Sequence, residues 1–148
     1  MWRQFLAALI LCACTVCIHA LGTYTHLHWI LRALKNRRLV RLAHAWWVTL
    51  RLVIFLLFLH ALEIAVWAQF YVMQRCFPDG ETAYYYSLVT YTTLGQGDVL
   101  LPRAWRIAGG CEAMIGLLLF GWSTAVLVTF TNYVRNARVS TYLSVATE

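Results

Sequence analysis

The sequence predicts an all-α membrane protein with three transmembrane helices and a short re-entrant helix between the second and third. Composition is the first observation: 61% of the 148 residues are hydrophobic, 12% are charged, and mean hydropathy is +0.64. A soluble domain carries about 25% charged residues. The second observation is three apolar runs, each long enough for the roughly 20 residues that a spanning helix needs. The third is a shorter run, followed by a polar glycine-containing stretch, between the last two. We therefore predict a single membrane domain that is not an enzyme.

The first apolar run extends from Phe5 to about Leu31, and its core up to Leu21 has no charged residue. It predicts an additional N-terminal transmembrane helix over residues 1–31. The alternative is a secretory signal peptide, with Arg3 as its basic region. The residues around Ile18 make a poor cleavage site, so we expect a retained helix.

A basic segment follows over residues 32–44. Its basic residues recur every third position, as Arg32, Lys35, Arg38 and Arg41. This spacing superficially resembles a voltage-sensing helix, whose arginines carry gating charge. The stripe is too short to cross a bilayer alone, and the first run offers no acidic partners. We predict instead a cytoplasmic juxtamembrane helix that binds anionic lipid, which accounts for the net charge of +6 without nucleic acid.

The second span is predicted from about Ala45 to Met73, with Tyr71 at its outer interface. His60 and Glu63 lie inside it, one helical turn apart on the same face. A charge at this depth is costly, so the pair should face protein rather than lipid. Its two interpretations are a coupling or pH-sensing pair and an ordinary hydrogen bond between helices, and we prefer the second.

The stretch between the last two spans combines a short helix with a glycine-containing loop. We predict the helix over residues 83–92, which is too short to span and must therefore be re-entrant. Such backbone is tolerated only where it is buried in protein or lines water. Gly95 and Gly97 then permit positive φ, which lets successive carbonyl groups face one axis.

This loop resembles the selectivity filter of the potassium-channel family, whose signature is Thr-Val-Gly-Tyr-Gly-Asp. Thr93, Gly95, Gly97 and Asp98 match it, while Leu94 replaces the valine and Gln96 the tyrosine. The resemblance implies ion coordination by Thr93, Leu94, Gly95, Gln96 and Gly97, with K⁺ held at the first four. It implies no cofactor, since K⁺ is the permeant ion.

The resemblance covers residues 45–134, and the run from Glu112 to Ala125 is similar to small bacterial channels with two spans and one pore. The third span is predicted from Ile107 to Val134, followed by a short cytoplasmic tail over residues 135–148. The resemblance implies filter support from Tyr85, Tyr86, Asp98 and Glu112, a cavity lined by Phe120 and Thr124, and a gating hinge at Gly116 or Gly121.

One filter loop forms a quarter of a fourfold pore, so the resemblance implies a homotetramer. Lysine and arginine are concentrated in the segment before the second span and in the tail. The positive-inside rule therefore predicts a cytoplasmic C-terminus and an outer N-terminus, in a plasma membrane, bacterial inner membrane by resemblance. Cys76 is the cysteine placed in an aqueous loop, where it can link subunits.

Three alternatives to a potassium-selective channel remain open. Gln96 departs from the family tyrosine, which favours a monovalent cation channel of weak selectivity. Histidines in the apolar runs, His19, His26 and His60, suggest a membrane haem protein as a remote alternative. The last alternative is an accessory subunit that does not conduct.

Overall fold

The computed structural model describes residues 2–35 and 42–146, and within them it contains helices and loops without a strand. Helix α1 spans Trp2–Lys35 and α2 spans Leu42–Met73. The short helix α3 spans Gly80–Tyr91. A 3₁₀ turn at Arg103–Trp105 leads into α4, which spans Arg106–Ala146.

In the described part of the chain, three helices are long and apolar enough to cross a membrane. Their apolar segments are Trp2–Ile30, Trp46–Met73 and Arg103–Asn136, with 29, 28 and 34 residues. At about 1.5 Å per residue, each exceeds the roughly 30 Å of a hydrocarbon core. The predicted all-α membrane fold is confirmed. Helix α4 continues to Ala146, so the segment predicted as a tail is helical almost to its end.

Helix α1 runs antiparallel to α2 and parallel to α4. Ala8, near the start of α1, belongs to the same buried cluster as Trp67 near the end of α2 and Ala108 near the start of α4. Ile30, at the other end of α1, packs in a second cluster with Leu52 and Phe130. The beginning of α1 therefore lies at the same end of the bundle as the loops that flank α3.

A glycine brings α1 close to α2. A Cβ atom at Gly22 would lie 2.8 Å from Cδ1 of Leu59, closer than packed carbon atoms approach. The hydrophobic effect does not drive helices together in lipid, so membrane helices associate through close packing. Small residues at the contact allow the two backbones to approach. The contact fixes the height at which α1 packs on α2.

Helix α3 begins three residues before the predicted start, and the reason is its cap. The Asp79 carboxylate accepts hydrogen bonds from the Thr82 backbone N–H at 2.8 Å and from the Thr82 hydroxyl at 2.9 Å. An aspartate before the first turn satisfies amide groups that otherwise lack a partner. The same bonds lower the pKa of Asp79.

The middle of the predicted basic segment, residues 36–41, lies outside the described residues. Arg38 and Arg41 are not described, whereas Arg32 is exposed near the end of α1. Helix α1 extends through Lys35, four residues beyond the predicted end of the first span.

Candidate functional site

In the loop after α3, the backbone angle φ alternates in sign from one residue to the next. We call residues 93–97 the filter segment. Thr93, Gly95 and Gly97 have φ values of 61°, 57° and 78°, and the two residues between them do not have positive φ. Carbonyl groups of an ordinary extended chain point to alternate sides. Positive φ at every second residue turns successive carbonyl groups toward the same side. The sequence predicted positive φ at Gly95 and Gly97.

Thr93 was not expected in this conformation, because positive φ is unfavourable for a β-branched residue. Two backbone hydrogen bonds hold it there. The Thr93 N–H donates to the Thr90 carbonyl at 2.9 Å, and the Gly95 N–H donates to the Val89 carbonyl at 3.1 Å. The end of α3 thus fixes the first turn of the filter segment. A strained residue of this type costs about 1–3 kcal/mol and is characteristic of functional sites.

The filter segment is exposed throughout in the single chain. Leu94 is 64% exposed, although it is apolar. The segment follows a helix that ends within the bundle, where non-helical backbone must be buried in protein or line water. Another surface is therefore needed to complete this part of the molecule.

Three side chains join α3 to the outer end of the filter segment. The Tyr85 hydroxyl lies 2.8 Å from Oδ2 of Asp98 and 2.5 Å from the Gln96 side-chain amide. A tyrosine has one hydroxyl proton, so it cannot donate to both groups. The hydroxyl therefore donates either to the Asp98 carboxylate or to Oε1 of Gln96, and both contacts connect α3 to this end of the loop.

Behind the filter segment lies a cavity of about 180 Å³. Its lining includes Tyr85, Tyr86, Gly95 and Gly97. Gln96, which stands where the family has a tyrosine, is not among the lining residues. Gln96 keeps a polar link to α3 without filling the space behind the loop.

Tyr86 also packs against α2. Its ring meets the Tyr71 ring edge-on at 5.5 Å, and the Tyr71 hydroxyl donates to Oε2 of Glu112 at 2.8 Å. Tyr71 and Glu112 are both fully buried. The prediction of Tyr71 as an interface anchor is therefore wrong, because its hydroxyl is used inside the protein. Glu112 joins α2 to α4 behind α3.

The two glycines predicted as hinges have different surroundings. A Cβ atom at Gly116 would lie 2.2 Å from the carbonyl oxygen of Tyr91, whereas one at Gly121 would meet nothing within 4 Å. Phe120 is half-buried against His60, with ring centroids 4.3 Å apart. Thr124 is exposed in the single chain. Gly116 thus serves close packing, and Gly121 lies in open space.

A second site lies below the filter segment, where all four helices meet. We call it the buried polar cluster, and its members are His19, His60, Glu63, Tyr91 and Ser123. The Glu63 carboxylate lies 2.9 Å from Nδ1 of His19 and 3.2 Å from Nδ1 of His60, and it accepts the Tyr91 hydroxyl at 2.5 Å. The Ser123 hydroxyl lies 2.9 Å from Nε2 of His60 and 3.3 Å from Nε2 of His19.

Helical spacing predicted the pair His60 and Glu63 but not the other members of the cluster. The signal for a third member was His19, an ionisable side chain in the uncharged core of the first run, where burial without a partner is costly. Its contact with Glu63 depends on how α1 packs against α2, and periodicity does not reveal that.

The cluster has the donor types of a metal site, but the haem alternative does not fit it. Ligand atoms of His19, His60 and Glu63 lie within 4.8 Å of one another. The two imidazole rings are 5.2 Å apart and are bridged on both edges by Glu63 and Ser123. A haem macrocycle has no space between them. His26, the remaining candidate ligand, stacks on Phe55 at 4.0 Å.

Comparison with known sequences identifies the class of protein. Residues 52–133, more than half of the chain, match the family described as "Ion channel". The chain belongs to this ion channel family and is a multi-pass membrane protein, a channel rather than an enzyme. No curated protein matches the chain, and no solved structure does.

Proposed function

We propose that this channel conducts potassium selectively and passively through a homotetrameric pore. The filter segment, Thr93-Leu94-Gly95-Gln96-Gly97, provides the ion-coordinating carbonyl groups, and the Thr93 hydroxyl adds an oxygen at its inner end. The observation that carries this proposal is the positive φ of Thr93, Gly95 and Gly97 in a loop between two spans. Rings of such carbonyls replace the water around a dehydrated K⁺ ion.

Exposure of the filter segment supports assembly around an axis. One chain supplies one strand of carbonyl groups, which does not surround an ion. Closed symmetry is the common arrangement of identical membrane and soluble subunits, and four copies give each ion carbonyls on all sides. Leu94, exposed in the single chain, then becomes buried between copies.

Selectivity for K⁺ over Na⁺ follows if the number of carbonyl ligands decides it, because the Gln96 side chain supplies no ligand. If the width of the filter decides it, the cavity behind Gly95 and Gly97 lets the loop move and admits Na⁺. The weakly selective cation channel is therefore the second candidate. The link from Gln96 and Asp98 to Tyr85 limits this movement and favours potassium preference.

The position of the chain in the membrane completes the proposal. The N-terminus and the outer end of the filter segment face outward in a bacterial inner membrane, with the C-terminus in the cytoplasm. The basic residues Arg32, Lys35, Arg38 and Arg41 bind anionic lipid on the cytoplasmic side.

Ion flux from liposomes that contain only this protein tests the proposal. We expect potassium flux from the parent protein and none from Gly95→Ala, since alanine resists positive φ. Gly80→Ala is the matched control, because Gly80 lies outside the filter and a Cβ atom there meets nothing within 4 Å. A parent protein that assembles but passes no ion contradicts the proposal and supports an accessory subunit. Parental flux in an assembled Gly95→Ala channel contradicts the assignment of the filter.

A further inference from the structure

The buried polar cluster requires a definite number of protons. Five hydrogen bonds join its members, three at the Glu63 carboxylate and two at the Ser123 hydroxyl. Each bond needs one proton between its two heavy atoms. The Tyr91 hydroxyl also lies 3.2 Å from Nδ1 of His60, and it can share that nitrogen's proton. The five bonds therefore need five protons.

Neutral side chains around an ionised Glu63 supply only four of them. Tyr91 and Ser123 each bring one proton, and a neutral imidazole brings one on either of its two nitrogens. With both Nδ1 atoms donating to Glu63, the Ser123 hydroxyl can donate to one Nε2 and leaves the other without a partner. This state also has a net charge of −1 within the membrane, which is costly.

One additional proton satisfies all five bonds and makes the cluster neutral. An Nε2–H of one histidine then donates to the Ser123 oxygen, while Ser123 donates to the other histidine. The geometry of the cluster is thus that of a site with one bound, exchangeable proton.

A proton fits this site better than a metal ion. Each nitrogen or oxygen atom that would bind a metal already lies within hydrogen-bonding distance of another member of the cluster. His19 and Glu63 are fully buried, and His60 is 5% exposed. A divalent ion would have to displace the protons of these bonds and cross the packed helices to enter.

The ionisable groups of the cluster come from α1, α2 and α3. They are His19 on α1, His60 and Glu63 on α2, and Tyr91 on α3. Helix α4 contributes Ser123, which does not ionise, and its nearest carboxyl group toward the filter is Glu112, bonded to Tyr71. Among these groups, histidine is the side chain whose charge ordinarily changes between about pH 5 and about pH 8.

The hydrogen bonds that depend on the bound proton join α1 and α2 to α3 and α4, the two helices on either side of the filter segment. Tyr91 ends α3 and is separated from Thr93 by one residue, so its bond to Glu63 anchors the start of the filter segment. Ser123 is buried toward α1 and α2, whereas its neighbour Thr124 is exposed. In a pore of several chains, the bonds at Ser123 hold α4 against α1 and α2 of the same chain and away from the pore axis.

We propose that the buried polar cluster is a proton-binding site that regulates conduction, with its protonated, neutral state holding the pore open. Loss of the shared proton breaks one bond at Ser123 and leaves a negative charge, and α4 then moves toward the axis. Flux therefore decreases as pH rises. This inference rests on the proposed function, and it adds regulation by protons and a role for α1.

Potassium flux from liposomes at controlled pH tests the coupling. We expect parental flux to fall at least about fivefold between about pH 6 and about pH 8, the lower end of coupling between linked sites. His19→Asn keeps a donor for Glu63 but does not titrate, so it should remove the pH dependence. Glu63→Gln should do the same, because the carboxylate charge is lost. His28→Gln, an exposed histidine on the same helix, should retain the parental response.

Two outcomes overturn the coupling: parental flux that is independent of pH, or a parental pH response in an assembled His19→Asn channel. The proton site has a second test that does not require flux. A variant with His26, His28 and His44 changed to glutamine leaves two histidines for ¹⁵N labelling, His19 and His60. Its ring-nitrogen spectra in lipid nanodiscs should show three N–H protons shared by the two rings at low pH and two at high pH.

Two ring protons at every pH in that range would overturn the proton site. If the parent protein conducts no potassium at any pH while the spectra change from three protons to two, the proposed function fails and the proton site stands.

Discussion

The backbone carbonyl of Tyr91, at the end of α3, lies against Gly116 of α4 so closely that a Cβ atom at residue 116 would be 2.2 Å from the oxygen. Helix α4 and the end of α3 therefore approach each other through backbone atoms. The two glycines that the sequence predicted as hinges therefore differ in their packing. A Cβ atom at Gly121 would meet nothing within 4 Å.

Gly116→Ala should destabilise the channel by about 1–3 kcal/mol, the usual cost of inserting a methyl group into a packed contact. The displaced Tyr91 carbonyl should also reduce flux. Thermal unfolding of the purified protein and liposome flux measure the two effects. An alanine variant with parental melting temperature and parental flux would show that the close contact does not exist in the working channel.

Gly121→Ala should leave assembly and melting temperature nearly unchanged, because nothing lies within 4 Å of the added methyl group. A glycine weakens a helix by about 1 kcal/mol relative to alanine, so the variant should alter open probability if α4 bends there. Single-channel recording gives the answer. Open probability equal to that of the parent would remove Gly121 as a hinge.

Gln96→Tyr should fill the cavity of about 180 Å³ behind the filter segment. We expect a stronger preference for K⁺, or slower filter collapse, because the wider ring limits movement of Gly95 and Gly97. Reversal potentials under opposing K⁺ and Na⁺ gradients compare the variant with the parent. An unchanged reversal potential together with unchanged filter collapse would indicate that this cavity does not influence the filter.

Tyr71→Phe should destabilise the protein by about 1–3 kcal/mol, since it leaves the buried Glu112 without the hydroxyl that it accepts. Tyr133→Phe is the matched control, because Tyr133 is 47% exposed on α4. Melting temperature is the measurement. If the two variants have the same melting temperature, the bond between α2 and α4 contributes nothing to stability.

The sequence predicted the spans well because hydrophobic length alone decides whether a helix can cross a bilayer. It also anticipated positive φ at Gly95 and Gly97, which follows from residue type. Positive φ at Thr93 was missed, since carbonyl groups of α3 impose it against the preference of threonine.

Contacts between distant residues were the other omission. His19 meets Glu63 only because Gly22 brings α1 close to Leu59 at one particular height. Tyr71 looked like an interface anchor because an aromatic residue near the end of a span usually is one. Its partner, Glu112, is on another helix, and a single sequence does not show which helix faces it.

The reversal potential of the parent channel, reconstituted alone with K⁺ on one side and Na⁺ on the other, tests the central claim most directly. If the filter segment coordinates dehydrated K⁺ as proposed, current should reverse at a strongly shifted potential that indicates K⁺ permeability well above Na⁺ permeability. Reversal near zero, with both ions carrying current, would contradict potassium selectivity and identify a non-selective cation channel.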